Sequence, residues 1–398
     1  MPQEDLRLEF PFRPAATDQP PAEFAALRAE PGLALVGLPT GDRAWLATRY
    51  ADVRDLLGEA RLSRAAATAP GAPRLGPARP QAKSLMAMDP PDHTRLRRLL
   101  APAFTRRRMD ALRGHVEEIA DRLVAAMAES GPPAEVAAGL SRPLAITVIC
   151  ELLGVPVADR TKFEDWTNRS LALAVTAGED VVRARAELRG YLADLAEDRR
   201  DEGGDDLLST LAAHAGEDRL DPEELTELGS TVLTAGYHTV AGAITNSVLA
   251  LLRHPAQLAL ARDDPAALPS TVEELLRFAP GPVSGGTIRV ASEDVVLGGT
   301  LVRAGEAVIP ATTSANRDEN VFQGADILDV TRTENPHIAF GYGIHRCLGA
   351  PLARIELSAA LRALLGRFPR LRLAVDFDTL TWRGGAMIGG PSELPIAW

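Results

Sequence analysis

Cysteine and lysine are scarce in this chain, and no stretch is long and apolar enough to cross a membrane. The 398 residues contain two cysteines, Cys150 and Cys347, and two lysines, Lys83 and Lys162, so arginine supplies nearly all of the positive charge. Two distant cysteines exclude a disulfide framework and thiolate-rich zinc or iron–sulfur sites, and they fit a reducing cytoplasm. No run approaches the ~20 apolar residues of a membrane helix, so we expect no membrane partner.

The net charge and the composition along the chain exclude further functional classes and indicate the domain organisation. The formal net charge of −11 argues against nucleic-acid binding. The first residues, Met1–Asp5, lack the basic region and the apolar core of a signal peptide. Hydrophobic residues make up 46% of the chain, enough for a sizeable core, and neither a low-complexity linker nor an internal repeat divides it. The sequence therefore predicts one cytoplasmic, monomeric domain over residues 1–398.

What the chain does contain is a glycine-rich run around its second cysteine. Residues 340–349 read Phe-Gly-Tyr-Gly-Ile-His-Arg-Cys-Leu-Gly, and apolar residues follow at helical spacing, including Leu352 and Ile355. Glycine permits positive φ and lets the backbone approach a flat group closely. The pattern places Cys347 near a helix N-terminus, where free N–H groups and the helix dipole stabilise a thiolate. A single thiolate in such a loop suits the axial ligand of a haem iron.

This run resembles the haem-binding loop of the cytochromes P-450, and the likeness continues through residues 340–356. The resemblance implies a mainly α fold with small β-sheets in a single large domain. It implies haem b (iron protoporphyrin IX) as cofactor and Cys347 as the axial ligand of its iron. Phe340, His345 and Gly349 match further haem contacts, His345 at a propionate. The alternative is an inert buried cysteine, which is how most free thiols behave.

Residues 88–97 predict the start of a helix. Asp89 suits the N-cap, Pro90 the first helical position and Asp92 the third. His93, on this helix, lies four residues before Arg97, so the two share one helical face.

Two cationic donors on one helical face suit a carboxylate or phosphate. In the resembled family the pair matched by His93 and Arg97 holds a haem propionate, and Arg289 matches a further propionate-binding arginine. The alternative for the pair is an exposed basic helix face.

Residues 221–253 predict one long helix, the central oxygen-binding helix of the resembled family. Asp221 suits its N-cap and Glu224 its third position. Within it, Gly236 weakens the helix, and Thr239 can bond back to a carbonyl one turn earlier and open the helix locally. The resemblance implies that Thr239 and Gly236 belong to the oxygen-binding groove.

The chain departs from the family at His238, where an acidic residue usually precedes the threonine. An acid relays protons by ionising, whereas histidine is mostly neutral at pH 7. Two interpretations stay open for His238: a catalytic imidazole that bridges waters, or a side chain that points away from the haem and bonds locally.

Ser270–Glu273 predicts a capping box that opens a further helix. This helix carries Glu274 and Arg277, which are three residues apart and can pair. The resemblance implies that they form a structural ion pair that supports the cysteine loop.

Irregular segments predict the walls of a substrate pocket. Residues 65–84 contain four prolines and no periodic pattern, and in the resembled family this region is a lid over the substrate; a plain surface linker is the alternative. Candidate pocket residues are Leu85, Met86, Ala235, Val283, Ser284, Met387 and Ile388.

Arginines concentrate on the predicted helix after Asp92 and on its successor. In the resembled family this face lies on the proximal side of the haem, which implies ferredoxin and ferredoxin reductase as electron donors. An ordinary solvated face is the alternative. The arginines are Arg95, Arg98, Arg106, Arg107, Arg108 and Arg113.

The sequence thus predicts a haem-thiolate monooxygenase that oxidises a small organic, secondary-metabolite substrate with O₂ and electrons from a ferredoxin. Two alternatives stay open. The first is oxidative C–C or C–N coupling of aromatic substrates, such as indole-bearing cyclic dipeptides, without oxygen insertion, which His238 favours. The second is a non-catalytic haem sensor, against which Thr239 and Gly236 speak.

Overall fold

Helices form most of the chain in the computed structural model, which describes residues 8–12, 19–75, 82–170, 178–214, 220–279, 286–382 and 389–398. In these residues no helix is long and apolar enough to span a membrane. The α-helices are, in chain order, α1 (Glu23–Ala29), α2 (Tyr50–Gly58), α3 (Asp92–Leu100), α4 (Arg106–Ser130), α5 (Arg142–Leu153), α6 (Arg160–Ser170), α7 (Gly178–Glu202), α8 (Leu207–Ala212), α9 (Pro222–Arg253), α10 (Pro255–Asp263), α11 (Leu268–Phe278), α12 (Thr312–Ala315) and α13 (Ala350–Arg367).

The strands are short and lie in small sheets. They are β1 (Ala34–Gly37), β2 (Arg43–Ala47), β3 (Leu62–Ser63), β4 (Ala134–Glu135), β5 (Arg289–Ala291), β6 (Val295–Leu297), β7 (Thr300–Val302), β8 (Ala307–Pro310), β9 (Arg372–Leu373) and β10 (Pro395–Ala397). The largest sheet has the order β1-β2-β8-β5-β3, with the β2–β8 pair parallel and the others antiparallel. A second sheet has the order β4-β10-β9, and β6 and β7 form a hairpin.

The central helix α9 runs through the main hydrophobic core. Its N-terminus is the predicted capping box: Asp221 accepts the Glu224 N–H, and the Glu224 carboxylate accepts the Asp221 N–H. From Val240 to Leu251 nearly every side chain is buried, and α9 packs against α5, α7 and α13. The helix continues through Gly236, so the expected local opening is not seen.

Two predicted helix starts are wrong. Helix α3 begins at Asp92 with Pro91 as its N-cap, and the Asp89 carboxylate instead accepts hydrogen bonds from Ser63 Oγ and from the backbone N–H of Arg64 and Ala65. Asp89 therefore ties the start of α3 to the end of β3.

Helix α11 begins at Leu268, two residues before the predicted capping box, with a proline in its first turn. Ser270 Oγ donates to the Ala267 carbonyl instead of accepting an N–H. The helix nevertheless carries Glu274 and Arg277 on one buried face, as predicted.

Candidate active site

The loop that carries Cys347 turns sharply before α13. Gly341 and Gly343 have φ of 70° and 74°, values that side chains disfavour, and a Cβ on Gly343 would lie 2.6 Å from the Leu57 carbonyl oxygen. The Cys347 N–H donates to the Phe340 carbonyl at 2.8 Å, which closes the loop. These contacts fix where the sulfur lies relative to the helix that follows.

The Cys347 sulfur lies at the N-terminus of α13, as predicted. The backbone N–H groups of Gly349 and Ala350 donate to it. Desolvation by the surrounding protein raises the pKa of the thiol, whereas these N–H groups and the charges of Arg97 and Arg346 lower it. Part of the side chain is exposed, so a ligand can reach the sulfur.

Helix α11 braces this loop from both sides of the cysteine. Glu273 accepts from Arg354 Nε and Nη2 at 2.5 and 2.8 Å and contacts His337 Nε2 at 3.0 Å. The Arg354 guanidinium also lies over the Phe340 ring, 4.6 Å from its centroid. One carboxylate thus joins residues before and after Cys347.

The predicted ion pair of Glu274 and Arg277 is fully buried. Arg277 Nε and Nη2 donate to the two Glu274 oxygens at 2.8 and 2.7 Å. Arg332 and Asn335 also donate to Glu274, and Arg277 Nη1 donates to the Asn316 carbonyl. The pair holds the segment that leads into the cysteine loop.

Basic side chains from α3, from β5 and from the cysteine loop itself meet at this loop. The His93 and His345 rings lie 4.1 Å apart, and Arg97 Nη2 donates to the Arg346 carbonyl at 2.5 Å. Arg289, which is 2% exposed, donates Nη1 to the carbonyls at the end of α2. These four residues were predicted to lie together, and the structure brings them together.

A fifth basic side chain, Arg64, joins these four residues, and no sequence motif pointed to it. We call the five residues the cationic group. Its charge acts on His93, His345 and Arg289. Burial and the nearby Arg289 lower the pKa of Arg64 to about 9, and burial lowers the pKa of Arg289 to about 10.

The histidines respond to the same surroundings. Burial, followed by the charges of Arg97 and Arg64, lowers the pKa of His93. Burial, followed by the charges of Arg64 and His93, lowers the pKa of His345 to about 2. Such a concentration of positive charge calls for an anion.

The hydrogen-bonding state of this group shows what fits there. Both ring nitrogens of His93, Nε and Nη2 of Arg289, and Nε of Arg64 are buried without a partner in the described chain. Each such polar group costs about 1–3 kcal/mol when left unpaired. A ligand that carries carboxylates would accept hydrogen bonds from the guanidinium N–H groups and from the ring N–H of a neutral His93, and the propionates of a haem held at Cys347 are such groups.

A third part of the site lies on α9. Thr239 Oγ1 donates to the Ala235 carbonyl at 2.5 Å, the predicted bond to one turn earlier, and both residues are exposed. Thr231 lies one turn further back, and its Oγ1 is 3.2 Å from Ser84 Oγ. The turn after Ser84 carries Met86, whose carbonyl accepts from Arg64 Nη1 at 3.0 Å. This turn connects the α9 face to the cationic group.

The comparisons with known proteins agree with this geometry. The family model for Cytochrome P450 matches residues 266–374, which contain α11 and the cysteine loop. Nocardicin C N-oxygenase from Nocardia uniformis subsp. tsuyamanensis is 47% identical over 400 residues, with 100% of each chain covered. The chain belongs to the cytochrome P450 family.

Two further comparisons place this P450 among bacterial relatives. Mycinamicin IV hydroxylase/epoxidase from Micromonospora griseorubida is 44% identical over 361 residues, which cover 90% of this chain and 91% of the relative. The crystal structure of cytochrome P450mel 107F1, described as having biaryl coupling reactivity, is 40% identical with a TM-score of 0.90 and covers 95% of this chain and 96% of that chain. The predicted fold, oxidoreductase class and haem b cofactor are confirmed.

Two residues beside Thr239 on α9 have contacts that bear on the roles predicted for them in this P450. The His238 ring contacts the Thr167 carbonyl of α6 at 3.2 Å through Nε2, which corresponds to the local-bond interpretation. A Cβ on Gly236 would lie 2.6 Å from Ile149 Cδ1. The structure therefore shows a packing reason for this glycine, namely the close approach of α5 and α9.

The predicted pocket residues of this P450 fall into three groups. Met86 and Ala235 are exposed beside the α9 face, whereas Leu85 is 8% exposed and packs in the main core. The residues that lie outside the described part of the chain are Val283, Ser284, Met387 and Ile388.

The predicted lid segment, residues 65–84, is described except for residues 76–81. It has one short 3-10 turn at Ala66–Thr68. Arg74 is tied to the β1–β2 turn, since its carbonyl accepts from Thr40 and its N–H donates to Asp42.

Proposed function

We propose that this P450 is a haem-thiolate monooxygenase in which Cys347 is the axial ligand of the haem iron. One observation carries the proposal: buried polar atoms of His93 and Arg289 that have no partner among the described residues lie beside a cysteine at the N-terminus of α13. Carboxylates of one flat ligand would accept from these atoms, and the Cys347 sulfur would hold its metal. The bound haem supplies oxygen activation and electron transfer.

Each residue of the proposed haem site has its own role in binding the cofactor. Arg97 and Arg289 would hold and neutralise the propionates, and His93 and His345 would add hydrogen bonds as neutral rings. Phe340 and Gly349 would shape the loop against the cofactor. Backbone N–H groups at the start of α13 stabilise the thiolate form of the cysteine. The brace at Glu273 keeps this loop at a fixed distance from α11.

Thr239 handles protons on the α9 side. Because its Oγ1 donates to the Ala235 carbonyl, the lone pairs of this oxygen can accept a hydrogen bond from a water. His238 Nε2 instead donates to the Thr167 carbonyl of α6, and the residue acts as a positioning residue. The exposed faces of Met86 and Ala235 line the substrate side.

The substrate we propose is a small organic secondary metabolite, oxidised by oxygen insertion. The names of the two curated relatives, an N-oxygenase of nocardicin C and a hydroxylase/epoxidase of mycinamicin IV, support this class. We propose that the protein acts in the cytoplasm, where two thiols, one buried in α5 and one needed as a ligand, stay reduced.

Electrons would come from a ferredoxin and its reductase. Exposed arginines on α3 and at the start of α4 support a docking face: Arg98, Arg106 and Arg107. A Cβ on Gly349 would lie 4.0 Å from the Phe104 ring between α3 and α4, so this face adjoins the cysteine loop. Because Arg95 is partly buried and pairs with Glu224, it is not part of the proposed docking face.

The ligand assignment is tested by Cys347→Ser. A serine hydroxyl is a far poorer ligand for haem iron, so the reduced carbon monoxide complex should lose its thiolate-type spectrum. Cys150→Ala is the matched control, because Cys150 is buried in α5 and burial raises the pKa of its thiol to about 12. Cys347→Ser with an unaltered spectrum would refute the proposal.

Oxidative coupling is the second candidate, supported by the coupling reactivity of cytochrome P450mel 107F1. Product masses separate the two: oxygen insertion adds one oxygen atom, and coupling of two substrates removes two hydrogens. A haem sensor would bind the cofactor and turn over neither. Reductase-dependent substrate loss therefore decides between enzyme and sensor, and the product mass decides between the two reactions.

A further inference from the structure

Arg64 occupies an unusual position directly after β3. Its backbone N–H donates to Asp89 Oδ1 and its Nη1 donates to the Met86 carbonyl, both at 3.0 Å. Its Nε is buried and has no partner in the part of the chain that the structure describes. A guanidinium held at one end and unsatisfied at the other is poised to bind a further acceptor.

The neighbours of Arg64 indicate what that acceptor is. Arg64 lies close enough to Arg97 and Arg289 for their charges to repel, and among the described residues the carboxylate that attracts it is Asp89. Arg289 has the same features: a buried guanidinium whose Nε and Nη2 have no partner. Partly desolvated like charges stay together only where an anion joins them.

A charge count over these permanently charged groups supports the same conclusion. Three guanidinium groups, Arg64, Arg97 and Arg289, face one carboxylate, Asp89. A haem b adds two propionates, so the three positive charges meet three negative ones. Without Arg64 the negative charges would exceed the positive ones.

We propose that Arg64 is a further cofactor-binding residue that donates to a haem propionate beside Arg97 and Arg289. The inference rests on the proposed function, in which the cationic group binds those propionates. Because the same guanidinium donates to Met86, it also links the cofactor to the turn on the substrate side.

The first measurement is transfer of haem from the holoenzyme to an excess of apomyoglobin. A charge-assisted hydrogen bond contributes roughly 1.5–3 kcal/mol, so Arg64→Gln should release haem about tenfold to a hundredfold faster than the wild type. Arg64→Lys keeps the charge without the planar fork and should fall between them. Arg61→Gln is the matched control: Arg61 is exposed, pairs with Glu59 and lies three residues away, and its loss should leave the rate unchanged.

The second measurement separates a contact with the propionate from support of the Met86 turn. Holoenzymes of wild type and Arg64→Gln are reconstituted with haem dimethyl ester, which lacks both carboxylate charges. If Arg64 acts on a propionate, the two proteins should release the ester at similar rates. Equal acceleration by Arg64→Gln with haem and with the ester would overturn the proposal and leave Arg64 a structural residue.

Arg289→Gln distinguishes failure of this inference from failure of the proposed function. Faster haem release from Arg289→Gln with no change in Arg64→Gln would overturn the role of Arg64 alone. No change in either variant would refute the propionate assignment of the whole cationic group. Acceleration of both with haem, and of neither with the ester, is the expected result.

Discussion

Thr239 and His238 are neighbours on α9, yet their polar atoms have different partners. Thr239 is exposed and its hydroxyl donates one turn back within its own helix, whereas the His238 ring reaches α6. We therefore expect Thr239→Ala to divert more electrons to hydrogen peroxide than His238→Ala does. A lost hydrogen bond of about 1 kcal/mol changes the partition between two routes by roughly fivefold.

The measurement is peroxide formed per reducing equivalent with substrate bound, and Thr239→Ser is the conservative control that keeps the hydroxyl. If His238→Ala diverts electrons as severely as Thr239→Ala, the histidine is an obligatory proton relay.

Glu356 is a carboxylic acid on the buried side of α13. It is 2% exposed, its Oε2 has no partner in the described residues, and burial raises its pKa well above the ordinary 4.5. The folded protein therefore keeps a proton that the unfolded chain releases above pH 4.5. Stability is lost as the pH rises from 4.5 towards the folded pKa, by up to about 1.4 kcal/mol per pH unit.

Glu356→Gln removes this titration, so its stability relative to the wild type should increase between pH 5 and pH 8. Chemical unfolding of both proteins at the two pH values measures the change. Comparing the difference across pH cancels the constant cost of the new amide. A difference that stays the same at both pH values would mean that Glu356 is ionised in the native protein.

At the scale of elements, the contact between α5 and α9 depends on a missing side chain. Ile149 occupies the space where a Cβ at Gly236 would be. Gly236→Ala should destabilise the protein by about 1–3 kcal/mol through overpacking. Gly190→Ala on α7 is the control, since nothing lies within 4 Å of its Cβ position, and it should stabilise by roughly 0.5–1 kcal/mol.

A double-mutant cycle identifies the contact that is responsible. If Ile149 is the clashing partner, Ile149→Ala should cost less in the Gly236→Ala background than in the wild type. Additive costs would show that Gly236 is required for another reason, such as the shape of the groove on α9.

The starts of the helices show which parts of the fold could be predicted from local sequence pattern. The start of α9 was predicted because both partners of its capping box lie within four residues. The start of α3 was not, because Asp89 bonds to residues 24 to 26 positions earlier. The start of α11 was misplaced because Ser270 donates to a carbonyl instead of accepting an N–H.

The candidate site likewise contains residues that local motifs predict and one residue that they do not. Cys347, His93, Arg97, Arg289 and His345 were predicted because they stand in or near recognisable motifs. Arg64 follows a two-residue strand with no motif around it, and only the folded chain brings it to the others. A buried donor without a partner is a property of three-dimensional structure, and no spacing in the sequence encodes it.

At the scale of the whole molecule, positive charge is exposed on one face although the net charge is negative. The net charge is −11, yet Arg98, Arg106 and Arg107 are exposed on the face beside the cysteine loop. Reversing Arg106 and Arg107 to glutamate should slow reduction by a ferredoxin at low salt. The effect should shrink as salt rises, because exposed charges are screened beyond ~8 Å at physiological ionic strength.

Stopped-flow reduction over a salt series measures this effect. The control reverses Arg370 and Arg372, two exposed arginines around β9, and changes the net charge by the same amount. Equal slowing in both double variants would attribute the effect to net charge and place the docking face elsewhere.

The brace at Glu273 also bears on how the protein is made. Its carboxylate holds His337 and Arg354, which are 64 and 81 residues further along the chain. At ribosomal rates of about 5–20 residues per second, Arg354 is synthesised roughly 4–16 s after Glu273. The cysteine loop therefore cannot take its final shape until most of the polypeptide has left the ribosome. We expect capture of the cofactor to be a late event of biogenesis, and chains released prematurely before α13 to be unable to retain it.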